Sequence, residues 1–539
     1  MVCWSLGQLV FAQDLPLAPN ALARQYVFDV FSQRDTGQLP MTYAFDPGYS
    51  ALESVIGAEE IGACRWMYRA YQSMALWAFY GKGRANHEQK SNKCREALLQ
   101  HSGEDYFVAM NPLLRLSVGG TLQGGLYIDN TRGMAMYGVL EGKFWAFTRI
   151  VESQRTLLPR ERRWHDRYGY LPSVGRAKEY RLLGDTATDY SVVDGYLAYR
   201  WSERLRLVVG LGRHHLGMGY RSLWLSGDEV PYSYVQADWS FGRVFYRNLY
   251  ASMIARTHAD LGGDAALPKK YMAAHVLGYR LGPNTEIAAY EAVVFSRAGT
   301  FEWWYLHPLI FYRTVEFQLG SPDNVLLGGQ VTHRLGRYSY LYTQFVLDEF
   351  LASEFFRPRR GWWGNKWGLQ LGLLHSFRWR KLHVRYRVEY NAVRPYTYSH
   401  RDSTRSYAHY NAPLAHPWGA NFKELLQQLT VRYGDGYAQV LLIEGCRGMD
   451  SVGTNFGSDI LRTHLQGVRP YGNRICQGVR RHVRIVDLRL GWHVWKYLAF
   501  ELRLQHTTDA SQNPNGYLGS HAVWMCSARY LLPAVRYDY

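Results

Sequence analysis

The chain has 539 residues with 42 Tyr, 22 Phe, 18 Trp and 51 Gly, yet its mean hydropathy is −0.30. Aromatic surface is abundant and aliphatic core modest, and no stretch approaches the roughly 20 consecutive apolar residues of a spanning helix, which excludes a helical membrane protein. The net charge of +17 predicts attraction to polyanions, but the Arg residues are scattered between aromatics without a basic tail, patch or nucleic-acid motif, which points away from nucleic acid. A β-barrel fits, because its strands turn apolar residues outward only at every second position and add aromatic girdles. A soluble all-β protein shares the profile. For a barrel at the cell surface the expected anions are lipopolysaccharide phosphates and acidic polysaccharide.

In chain order, residues 1–12 form an apolar run ending at Ala12, before Gln13 and Asp14. This resembles the tail of a secretory signal cleaved after Ala12, with the basic start of the signal missing. Cys3 lacks a lipobox and would leave with the signal. An exported chain meets an oxidising periplasm, so Cys64 with Cys94 and Cys446 with Cys476 are candidate disulfides, leaving Cys526 free; spacing alone does not fix connectivity. No Cys/His spacing of zinc type occurs, and neither a metal nor a cofactor is expected.

Residues 13–105 read as a small helical N-terminal region. Residues 51–75 place Trp66, Met67, Tyr71 and Met74 on one helical face, and residues 92–100 could extend a second helix. Such a region either plugs or caps the periplasmic mouth or is a surface appendage. From residue 106 to 539 a large antiparallel transmembrane barrel of about 16–18 strands is expected. Leu116, Val118, Leu126 and Ile128 alternate with Ser117, Gly119 and Tyr127. Val384, Tyr386, Val388 and Tyr390 oppose His383, Arg385, Arg387 and Glu389, and Leu498, Phe500, Leu502 and Leu504 oppose Ala499, Glu501, Arg503 and Gln505. Charges on the second face predict a wet, charged lumen with lipid outside. Residues 529–539 look like a C-terminal β-signal, except that Pro533 interrupts the strand pattern.

The segment His214-His215-Leu216-Gly217-Met218-Gly219-Tyr220-Arg221-Ser222-Leu223-Trp224-Leu225-Ser226 resembles the G-x-G-x-x-S-L-x-L-S block of the capsule-assembly Wzi family and its RemB-like gliding-motility relatives. Gly217 and Gly219 permit a tight irregular turn there, with Ser222 and Ser226 completing the block. Further blocks keep their order: Leu306-His307-Pro308-Leu309-Ile310-Phe311-Tyr312-Arg313, Gly320-Ser321-Pro322-Asp323-Asn324, residues 342–350, residues 365–368, residues 389–400 and His416-Pro417-Trp418-Gly419-Ala420-Asn421-Phe422. Together they resemble the RemB-like branch over residues 105–539. The resemblance implies an outer-membrane barrel of a Gram-negative bacterium that anchors capsular polysaccharide or assists gliding.

The richest polar cluster is His400, Asp402, His409, Asn411, His416 and Asn421, interleaved with Tyr396, Tyr398, Tyr407, Tyr410 and Trp418. Aromatic rings beside amides and imidazoles suit a sugar, whose C–H faces stack while its hydroxyls need donors and acceptors. The bland alternative is a loop folded into the lumen and satisfied by its own hydrogen bonds; a metal is disfavoured by the spacing of the three His. Arg359, Arg360 and Trp362 lie in a basic aromatic loop that suits anionic glycan or lipid headgroups, or an ordinary girdle. Asp323 and the pair Asp348 and Glu349 could be read as catalytic carboxylates, but partners such as Arg313, Arg334 and Arg394 point to structural ion pairs. Ser399 and His400, adjacent in sequence, would face opposite ways in a strand and not act together. The expected function is a non-enzymatic barrel binding or organising surface polysaccharide, with lipid, lipopolysaccharide and secretion or gliding machinery as partners. The alternatives are an anion-selective porin with an Arg-rich lumen and, less favoured, a membrane-embedded hydrolase.

Overall fold

The computed structural model describes residues 98–538 apart from positions 123, 183–184, 256–266, 298, 310, 321–322, 337, 350, 357–359, 452, 466, 496–497, 512–518 and 532–537. The signal-like residues 1–12, Cys64, Cys94, most of the expected N-terminal helical region, Arg359 and Pro533 therefore lie outside the described residues.

The chain runs through β1 (Leu99–Ser102), β2 (Tyr106–Thr121), β3 (Leu126–Leu140), β4 (Phe144–Thr156), the helix α1 (Pro159–Tyr168), β5 (Lys178–Leu182), β6 (Asp185–Arg200), β7 (Leu205–Gly212) and β8 (Tyr232–Phe241). It continues with β9 (Val244–Ile254), β10 (Lys269–Arg280), β11 (Thr285–Phe295), the helix α2 (Tyr312–Gln318), β12 (Asn324–Leu335), β13 (Ser339–Leu347), β14 (Trp367–Trp379) and β15 (Leu382–Val393). After the two-residue strands β16 (Ala408–His409) and β17 (Ala412–Pro413) come β18 (Phe422–Tyr433), β19 (Gly436–Met449), β20 (Val479–Trp495), β21 (Leu498–Ser511) and β22 (Gly519–Tyr530). With the short inserts β1 and β5 set aside, 18 antiparallel strands close through β22 on β2.

Two-residue periodicity builds this wall. On β21, Phe500, Leu502 and Leu504 are exposed outward while Ala499, Glu501, Arg503 and Gln505 are buried inward, as the alternation predicts. The lumenal face carries a ladder of ion pairs. Asp238 accepts from Arg206 and Arg247, each at 2.6 Å, and Asp487 takes Arg489 and Arg503, each at 3.0 Å. At these positions the charges of the second face pair with one another in the lumen. No helix among the described residues is long and apolar enough to cross a membrane; the strands do so.

The two ends differ. One is closed by tight turns such as residues 242–243, 380–381 and 434–435, and the other carries the long connections at residues 157–184, 213–231, 296–323, 348–366, 394–421 and 450–478. Short turns mark the periplasmic end and long loops the cell surface. Exposed Trp201, Phe241, Trp379, Tyr433 and Trp492 ring the short-turn end as an aromatic girdle.

The closing seam has two partners. β22 pairs with β2 only from Leu114 to Thr121, and β1 pairs with Phe107 to Met110 of the same edge. Pro112, which has no N–H, falls in the gap between them. The expected helix over residues 92–100 is corrected here at its described end: Leu99 and Gln100 are strand. A bare edge of β2 in lipid would leave its backbone unpaired, which favours an added strand over a helical turn.

Candidate functional site

Two of the long loops turn into the barrel and pack on its inward side chains. In residues 213–231, Gly217 adopts φ +109°, and a Cβ there would lie 2.3 Å from Gln344 Nε2; one on Gly219 would lie 2.6 Å from Gln370 Oε1. Only glycine lets this backbone approach the lumenal glutamines so closely. Gln344 then accepts from the Leu223 N–H at 2.8 Å and donates to the Leu216 carbonyl at 2.8 Å. Ser222 donates to the same carbonyl at 2.6 Å, and Ser226 to Glu229 at 3.3 Å. Trp224 stacks on Tyr290 with centroids 4.8 Å apart and donates its indole N–H to the Phe345 carbonyl at 3.0 Å.

Residues 394–421 lie against this first loop. The hydroxyls of Tyr398 and Tyr407 donate to the carbonyls of Leu223 and Trp224, each at 2.8 Å, and the Ser226 N–H donates to the Leu414 carbonyl at 2.8 Å. Fully enclosed Arg221 pairs with Glu424 and with Asp538, each at 3.1 Å, while Glu424 also accepts from His416 at 2.8 Å and Asn391 at 3.0 Å. The two loops form a plug. Within it, burial holds the imidazoles of His214 and His409 at about 3, well below their ordinary value, and pushes the Glu229 carboxyl up to about 8.

This packing accounts for most residues of the polar aromatic cluster. Tyr396 donates to the Asn455 carbonyl at 2.8 Å, His409 accepts the Ile254 N–H at 3.0 Å, His400 accepts the Asp402 N–H at 3.1 Å, and Asn421 donates to the Gly448 carbonyl at 2.9 Å. His400, His409 and His416 are not brought together; among the described residues the His/Asp/Glu group close enough to share an ion is His165, Asp166 and Glu179 instead. Arg360 bonds Glu354 at 2.7 Å and lies 4.4 Å over the Tyr471 ring, and the Trp362 carbonyl accepts from Arg394 at 3.2 Å.

The acidic candidates are tied structurally, though by other partners than sequence proximity indicates. Asp323 is held by Arg297 at 2.6 Å and the Tyr305 hydroxyl at 2.8 Å. Asp348 accepts the Tyr398 N–H at 2.7 Å, and Glu349 takes Lys366 at 3.2 Å. Ser399 spends its hydroxyl on the Tyr396 carbonyl at 2.5 Å.

Asn411 and Trp418 do reach an open cleft of 560 Å³ above the plug. Its other walls come from α1, from two strand tops and from the loop after β19: Arg160, Arg163, Trp164 and Tyr168 on the helix, Arg447 and Arg481 on β19 and β20, and Asp450 and Asp459 in residues 450–478. The helix begins at Pro159, whose missing N–H costs nothing at that position, and ends at Gly169 in the left-handed region (φ 70°). Glu161 receives the Leu158 N–H at 3.2 Å and pins the helix to the wall through Arg155 at 2.7 Å. Trp164 and Tyr168 pack at 4.8 Å beside the arginines. Of the acids, Asp450 is occupied by the backbone N–H groups of Phe456 at 2.6 Å and Asp459 at 3.0 Å. Arg447 donates to the Trp418 carbonyl at 3.1 Å and sits 5.6 Å over its ring. The Trp418 indole nitrogen has no hydrogen-bond partner among the described residues. The cleft thus combines four arginines, of which Arg481 is paired with Asp509, with Asp228, Asp450 and Asp459 and the rings of Trp164, Tyr168 and Trp418.

No protein-family model matches the chain, and no curated relative matches it. Solved structures do. Wzi of Escherichia coli, an outer-membrane protein involved in group 1 capsule assembly and described as a carbohydrate-binding β-barrel, matches with 13% identity and a TM-score of 0.51, over 97% of this chain and 96% of that one. OprD of Pseudomonas aeruginosa (12%, TM-score 0.40, 78% and 94%) and OccAB1 of Acinetobacter baumannii (9%, 0.42, 79% and 96%) are more distant. The molecule is an outer-membrane β-barrel. Its long-loop end faces outward, so the cleft opens on the cell surface.

The proposed bond between Cys446 and Cys476 is absent. Both thiols are free and buried, and Cys476 Sγ donates to the Cys446 carbonyl at 3.0 Å rather than joining its sulfur. Sequence reasoning passed over α1 and its arginines, although Pro159, Glu161 and Gly169 mark a helix start and stop.

Proposed function

We propose that this protein is a non-enzymatic, plugged barrel that binds an acidic surface polysaccharide in the cleft at its outer end, serving capsule or exopolysaccharide attachment. The observation that carries this reading is the meeting of arginines with closely packed aromatic rings in an open cleft beside the chain's inward loops. Guanidinium groups suit carboxylates and aromatic faces suit the C–H faces of pyranose rings. The fold likeness to a barrel described as carbohydrate-binding supports the same reading.

The test is binding of uronate oligomers to the purified protein by calorimetry, with neutral dextran as control. Arg163→Ala and Trp164→Ala are expected to weaken uronate binding at least tenfold. Equal binding of dextran, or no effect of either substitution, would refute the proposal. A steady ohmic conductance of the parent protein in planar bilayers would favour the porin instead. Capsule retention and gliding share the glycan-contact step, and comparing the two phenotypes in a deletion strain separates them.

A further inference from the structure

The segment between β11 and β12 does not enter the mouth. It folds back over the outside of the wall, where Tyr305, Tyr312 and Val315 pack on Ala273, Val293 and Phe295 at outward positions of β10 and β11. This flap covers three polar side chains that break the apolar pattern of the outer face. Asn248 donates to the Pro308 carbonyl at 3.1 Å, Glu291 accepts the Arg313 N–H at 3.2 Å, and His275 meets the Tyr312 hydroxyl. Wall tyrosines satisfy the irregular backbone of the flap, Tyr250 donating to the Leu306 carbonyl at 2.8 Å and Tyr246 to that of Pro308. Irregular backbone at membrane depth is tolerated only where protein supplies such bonds. On the far side, Trp303, Trp304, Leu309, Phe311 and Phe317 are all more than half exposed, a surface suited to hydrocarbon and ill suited to water.

Where the flap ends, a groove of 640 Å³ runs along the wall. Phe301, Tyr250 and Tyr271 bound it on one side and Val193, Leu197 and Val209 on the other. Gly195, between Val193 and Leu197, leaves a gap in that side, and a Cβ there would come within 2.6 Å of the Phe147 carbonyl. The groove is continuous with the lipid-facing exterior. At its upper rim Lys269, exposed, stands two residues beyond Tyr271 on the same outward face of β10.

The geometry points to a fixed site for one acyl chain of lipopolysaccharide, the phosphate-bearing lipid of the surface leaflet, with the chain lying in the groove against the flap and the phosphate at Lys269. A cation above an apolar slot complements a lipid of that polarity. The flap thus serves as one wall of a lipid site, independent of the glycan cleft.

The experiment uses the full chain in vesicles of phosphatidylethanolamine and phosphatidylglycerol doped with lipid A bearing a diazirine on its acyl chain, with diazirine-acyl phosphatidylglycerol as a second arm. Lipid A adducts are expected to concentrate at Val193, Leu197, Val209, Tyr271 and Phe301, at least fivefold over Leu371 and Leu425 elsewhere on the lipid-facing wall. Leu197→Trp and Val209→Trp, outward changes that spare the lumen, should remove that excess, and Lys269→Glu should reduce it for lipid A but not for phosphatidylglycerol. Even labelling around the barrel overturns the site. Equal enrichment of phosphatidylglycerol overturns its assignment to lipopolysaccharide.

Discussion

Arg221 in the first plug loop contacts Glu424 at the top of β18 at 3.1 Å, with both side chains fully enclosed. The pair joins the tip of one inward loop to the root of the other. Removing one partner of a buried ion pair costs about 3–5 kcal/mol, because the remaining charge stays buried. Arg221→Ala is therefore expected to loosen the plug and produce discrete conductance steps in planar bilayers, where the parent stays silent. A silent variant would show that the hydroxyl-to-carbonyl bonds alone hold the loops.

For His214, His409 and Glu229 together, closure of the plug is firmest near pH 6.5. His214 and His409 sit at about 3 in the closed plug, so an opened plug binds more protons and closure weakens as pH falls below about 6.5. Glu229 sits at about 8, so the closed plug holds the extra proton and closure weakens as pH rises from about 4.5 towards 8. Each group contributes up to about 1.4 kcal/mol per pH unit within its window. Between about 4.5 and 6.5 two histidines outweigh one carboxyl. Conductance against pH should rise on both sides, His214→Gln flattening the acid limb and Glu229→Gln the alkaline one.

Gly217→Ala places a methyl group at φ +109° and 2.3 Å from Gln344. A destabilisation of about 1–3 kcal/mol is expected from the backbone conformation alone, read as a lower temperature for loss of the compact form in heat-modifiable gel mobility. Gly329→Ala, where nothing lies within 4 Å, is the matched control and should leave that temperature unchanged.

Thiol chemistry separates the wall from the interior. Cys526 points outward on β22, whereas Cys446 and Cys476 are buried. In vesicles a membrane-permeant maleimide should modify Cys526, and Cys446 and Cys476 should react only after denaturation. Mass mapping that found Cys446 linked to Cys476 would contradict the free thiols.

The wall was legible because lumen and lipid differ in polarity, and a strand such as β21 must record that difference at every second residue. Loops carry no such period. His400, His409 and His416 among tyrosines can be read as a sugar site or as packing, and what separates the readings is contact between distant segments, such as the Tyr398 hydroxyl on Leu223. The flap left a trace that the alternation could have revealed: Asn248, His275 and Glu291 occupy outward positions where lipid would be expected, and Trp303, Trp304 and Phe311 crowd a segment that turn chemistry would make polar.

The seam of the wall has a consequence for how the chain can be cut. β1 pairs with four residues of β2 beyond the reach of β22, which at roughly 3.4 Å per residue is about 14 Å of edge. A segment that precedes β2 in the chain thus covers the part of its edge that β22 does not reach. Clipping the chain at Tyr106 is expected to leave those four residues of β2 edge unpaired in the periplasmic leaflet.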